Sequence, residues 1–130
     1  MKWQSRFNIY WIISLLYMGM IFLFSSFPPP IKTPSFSFAD KLAHLLAYGL
    51  LASLIYCALE KSRVNFHPIF IPFLFAFLYG VSDEIHQYFV PGRNADVFDA
   101  LANGLGGFIF PLGIHAKKYW RGIKVSNKNQ

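Results

Sequence analysis

The chain has 130 residues, of which 55% are hydrophobic, 19% aromatic and only 14% charged, with a formal net charge of +6. Soluble domains carry roughly a quarter charged residues, so an ordinary soluble domain is excluded and a membrane chain is indicated. The length accommodates a single domain over residues 1–130 and no separate soluble one.

A bilayer core about 30 Å thick takes roughly 20 apolar residues in a helix. Apolar runs at about 7–24, 42–59, 67–89 and 97–115 therefore predict an all-α fold, a four-helix transmembrane bundle. The first run follows Lys2 and Arg6, as a signal peptide would. It is longer than a usual signal core, carries tyrosines and a tryptophan, and leads into Ser25-Ser26-Phe27-Pro28-Pro29-Pro30 without a small-x-small cleavage pattern, so it reads as a retained span. The Pro- and Ser-rich stretch Ser25 to Ala39 is a loop. The second span opens with Asp40-Lys41, and Asp40, His44 and Tyr48 share one face at i, i+4 and i+8. Cys57, the single cysteine, can form no internal disulfide. The third span tolerates Pro68 and Pro72 near its start and ends in Asp83, Glu84, His86 and Gln87. After Pro91-Gly92, the fourth begins with Asp96, Asp99 and Asn103 as one stripe, and Pro111 and Gly113 are expected to kink or end it early.

With four spans, nine of the twelve basic residues share one side: Lys2, Arg6, Lys61, Arg63, Lys117, Lys118, Arg121, Lys124 and Lys128. The positive-inside rule makes that side cytoplasmic, giving an N-in/C-in orientation. No nucleic-acid motif accompanies the charge, so no nucleic-acid partner is expected, and the basic tail suits anionic lipid. The acids run the other way. Asp40, Asp83, Glu84, Asp96 and Asp99 fall at the outward helix ends with His44, His86, Gln87, Arg93 and Asn103. Acids near apolar spans are costly unless compensated, so these groups are expected to meet in one polar pocket, with Glu84 or Asp83 paired to Arg93 or Lys41.

Bland readings stand beside this one. Asp40 can cap the second helix, Asp96 with Asp99 resembles a capping box, and Pro91-Gly92 reads as a turn. His86 lies roughly 200° round the helix from Glu84. Gly80 and the Gly104, Gly106, Gly107 group point to close helix packing.

Ser25-Ser26, Asp40-Lys41-x-x-His44-x-x-x-Tyr48, Asp83-Glu84-x-x-Gln87, Pro91-Gly92-Arg93, Asp96, Asp99, Ala102-Asn103 and Gly106 together resemble the VanZ-like family. The resemblance implies a small multi-pass protein of the bacterial cytoplasmic membrane, in a family associated with reduced teicoplanin susceptibility. Carried over, its recurrent polar residues are Asp40, Lys41, His44, Tyr48, Glu84, Gln87, Arg93, Asp99 and Asn103. Two functions follow. The pocket binds a cell-envelope lipid or amphiphile, such as a lipid-linked precursor or a lipoglycopeptide, with Arg93 and Lys41 on its phosphate or carboxylate and Asn103, Gln87 and Tyr48 giving hydrogen bonds. Alternatively it is an enzyme of envelope lipids, with Glu84 or Asp83 and His44 as acid, base or ligands of a divalent metal. No familiar metal signature or nucleophile motif is present, so no cofactor is expected and binding leads.

Overall fold

The computed structural model describes residues 7–28 and 37–126. Lys2, Arg6, Lys32 and Lys128, which enter the orientation count, and much of the proline loop lie outside the described residues. Four helices and no strands occur among those described: α1 (Ile9–Ser25), α2 (Phe38–Lys61), α3 (Phe70–Phe89) and α4 (Val97–Ser126). The fold is all-α. α2 and α4 are long and apolar enough to cross a membrane; at 24 residues α2 spans roughly 36 Å.

The helix ends have local causes. The Asn8 side chain accepts from the Tyr10 amide and starts α1. α3 begins at Phe70, three residues after the expected His67, because the His67 ring nitrogen Nδ1 accepts from the Phe70 amide. α4 runs through Pro111 and Gly113 to Ser126, contrary to the expected early stop. The Pro111 ring is fully buried, so packing compensates its missing amide bond. Lys124, in the last turn, then suits the negative end of the helix dipole.

Side-chain contacts show that successive helices alternate in direction. At one end Asn8 and Trp11 bond Ser62, and Lys118 bonds Glu60. At the other, His86 meets Ser26, Arg93 meets the carbonyls of Phe24 and Phe27, and Lys41 meets Asp96. α2 is central and packs most extensively on α4, while α1 touches α2 and only sparingly α3. The α2–α4 crossing requires Gly106, where a Cβ would fall on the Leu45 carbonyl oxygen. The core is small: Tyr48, Leu51, Ala52, Ile55, Leu59 and Ala76. Many large apolar side chains face outward, including Leu16, Phe24, Leu78 and Leu101, whereas Asp83, Glu84, Gln87, Asp99 and Asn103 are buried. That inversion is expected of a helix bundle in lipid.

Candidate functional site

The polar residues of α2, α3 and α4 meet at the Lys41 end of the bundle. Lys41 projects from the first turn of α2 to α4, with its ammonium 2.5 Å from Asp96 Oδ2 and 2.6 Å from Asp99 Oδ1. Asp96 is also the cap of α4, because its Oδ1 accepts from the Phe98 amide at 2.8 Å. The capping and polar-site readings of Asp96 therefore hold together. In a capping box, the acid three residues on would reach back to the Asp96 amide. Here Glu84 of α3 takes that place, its Oε2 accepting from Asp96 N–H at 3.1 Å, and Asp99 is left to Lys41. The Lys41 hydrogen bond holds the Asp96 carboxyl below the usual aspartate range.

His44, one turn below Lys41, bonds Asn103 Oδ1 through Nδ1 at 3.0 Å. Glu84 Oε1 lies 3.8 Å from the same nitrogen, and Asp99 Oδ2 lies 4.0 Å from Nε2. Asn103 is fully buried, and Gly80 makes its seat: a Cβ at Gly80 would stand 2.9 Å from Asn103 Cβ and Nδ2. On the other side of His44, Gln87 donates to Asp83 Oδ2 at 3.0 Å. The Tyr48 hydroxyl faces the Asp83 carboxylate without completing a hydrogen bond to it.

A cavity of about 310 Å³ opens beside this network, between α1 and the α2–α3 pair. Tyr17, Met20, Ile21 and Phe24 of α1 form an apolar wall, and Asp40, His44, Tyr48, Asp83, Gln87 and Arg93 form a polar one. Of the twelve residues singled out in the sequence, His86 lies apart, bonded to Ser26 and stacked on Phe22, and the other eleven fall into two groups. Lys41, Glu84, Asp96, Asp99 and Asn103 tie the helices together, Asp40, Tyr48, Asp83, Gln87 and Arg93 face the cavity, and His44 belongs to both.

The expected pairing of Glu84 or Asp83 with Arg93 or Lys41 is corrected. Lys41 is engaged by α4, where both aspartates face it from the first turn. Arg93 donates from Nε to Phe27 O and from Nη2 to Phe24 O, at 2.8 and 2.7 Å. A helix end leaves its last carbonyls without partners, and Arg93 supplies donors to the end of α1. Gly92, at φ +82°, turns the chain so that it can. The α1 wall was missed from sequence because residues of a uniformly apolar helix carry no mark of whether they face outward or line a cavity. Pro28 was an available signal for free carbonyls just before it.

Among the described residues one group could hold a metal ion: Asp40, His44 and Asp99 each offer a ligand atom within 4.8 Å of the others. No curated protein and no solved structure matches the chain. The VanZ/LLP1 family model matches residues 6–117, which takes in all four helix starts, the cavity and the whole Lys41 network. The chain therefore belongs to the VanZ/LLP1 family.

Proposed function

We propose that the chain is a membrane protein with four spans and both termini cytoplasmic, whose cavity receives a cell-envelope lipid or amphiphile from the extracytoplasmic side. The alternating helix direction supports four spans. Lys61, Arg63, Lys117, Lys118, Arg121 and Lys124 lie toward the end opposite five of the six acids, Glu60 being the exception, which supports the orientation.

The observation that carries the reading is the cavity's division into an apolar α1 wall and a polar wall, the form an amphiphile requires. At about 310 Å³ it holds a head group and the start of a tail, with the remainder running along the exposed apolar side chains of α1. The head group is one that donates hydrogen bonds: hydroxyls, amines or sugar. Lys41 is tied to α4 and Arg93 to α1, so in the metal-free cavity a phosphate would meet Asp40 and Asp83 with little to offset their charge.

Native mass spectrometry of the detergent-extracted protein with envelope lipids and with teicoplanin tests this. One retained amphiphile, lost in Asp83→Asn and Asp40→Asn at unchanged abundance, is expected; equal retention by both variants would refute it. A strain expressing the protein is expected to show altered teicoplanin susceptibility only if teicoplanin is the retained ligand. In the enzymatic alternative Asp83 replaces Glu84 as the acid–base candidate, because Glu84 is engaged by the α4 cap and does not line the cavity. A new lipid product in the same incubation would favour that alternative.

A further inference from the structure

The polar wall of the cavity is wired in a way that binding an amphiphile does not require. Asp40, His44 and Asp99 bring one ligand-capable atom each within 4.8 Å of one another. His44 Nε2 stands 4.0 Å from Asp99 Oδ2, so a side-chain adjustment of about 0.6 Å brings the two to the roughly 3.4 Å between ligand atoms of a tetrahedral ion with bonds of about 2.0–2.1 Å.

The ring tautomer sharpens this. Asn103 Oδ1 is an acceptor only, so at 3.0 Å it takes the proton of His44 Nδ1. In the neutral ring Nε2 then carries a lone pair. That lone pair looks toward the Asp99 carboxylate, so a cation placed between them is bound by both. Metal-ligating histidines show the same wiring, the far nitrogen donating to a carbonyl or carboxylate that fixes the ring. Asn103 is rigid for that task, fully buried against Gly80.

One buried atom outside the three ligands adds to the case. Tyr48 is 1% exposed and lines the same cavity, yet its hydroxyl has no hydrogen-bond partner. The charge balance agrees: five carboxylates, Asp40, Asp83, Glu84, Asp96 and Asp99, stand against two fixed cations, Lys41 and Arg93.

We propose that Asp40, His44 and Asp99 bind one divalent transition-metal ion, with Asp99 bridging it to Lys41. One imidazole with two carboxylates suits Zn²⁺ or Mn²⁺, whereas Ca²⁺ and Mg²⁺ favour oxygen throughout. Waters completing the ion's shell occupy the cavity and give the Tyr48 hydroxyl its partner.

The test uses tag-free full-length protein in detergent, stripped with EDTA and loaded with Zn²⁺ or Mn²⁺. Metal analysis after dialysis is expected to return one ion per chain, and the ion is expected to raise Tm. Asp40→Asn, which preserves volume at the half-buried cavity lip, is expected to weaken affinity at least tenfold and to abolish the Tm rise while leaving the metal-free Tm unchanged. His44→Gln is expected to do the same to the affinity. Less than half an ion per chain in the wild-type protein overturns the proposal whatever the variants do, as does equal affinity in both variants. Amphiphile retention measured in EDTA separates this outcome from failure of the amphiphile reading.

Discussion

The two flanks of α2 are built differently. Against α4 it makes a close seam, with Gly106 allowing the backbones to touch and Lys41 clamped between two aspartates. Against α1 it makes a looser joint of side-chain bonds to backbone, Asn8 to Ala58 and Tyr17 to Ala47, with Tyr79 of α3 bonding Met18. The cavity lies on that second side. In lipid no hydrophobic force draws helices together, so close backbone packing and polar bonds decide which joints are firm. The seam is thus the scaffold and the α1 joint the opening, and the polar residues divide accordingly.

Substitutions can break that division. The largest effect is expected for Lys41→Met, which strands Asp96 and Asp99: about 3–5 kcal/mol lost, read as a large fall in Tm or in folded yield. Gly106→Ala pushes a methyl onto the Leu45 carbonyl and is expected to cost about 3 kcal/mol, the upper range for overpacking. On the other flank, Tyr17→Phe removes one bond to Ala47 and is expected to cost about 0.6 kcal/mol, while freeing α1 enough to change amphiphile retention. A Tyr17→Phe loss as large as that of Gly106→Ala would erase the distinction between the flanks.

The smallest effect is in pH. The Asp96 carboxyl titrates below the usual aspartate range because Lys41 bonds it. Its contribution to stability is therefore full above about pH 4 and is lost as pH falls through the lower native value. Melting curves across that window are expected to show a shallower decline in Asp96→Asn than in the wild-type protein.

Much of this was legible in the sequence, though unevenly. Helix number and the meeting of Asp40, His44, Asp99 and Asn103 at one end followed from apolar length and from stripes at helical spacing. The partners did not, because pairing depends on rotation about helix axes that periodicity alone leaves free. Lys41 was matched to the acids of α3, yet α4 lies closer to it through Gly106. Arg93 found backbone carbonyls, acceptors that no residue letter reveals. Pro111 misled for a related reason: its local cost is offset by burial that only the tertiary packing creates.

The distinction between scaffold and opening is most directly tested by measuring Tm and retained amphiphile together for Lys41→Met and Asp83→Asn. Lys41→Met is expected to lower Tm sharply, and Asp83→Asn to lose the amphiphile with Tm held within a few degrees. If both variants lose Tm and ligand in the same proportion, the cavity wall is only part of the scaffold and the proposed division is wrong.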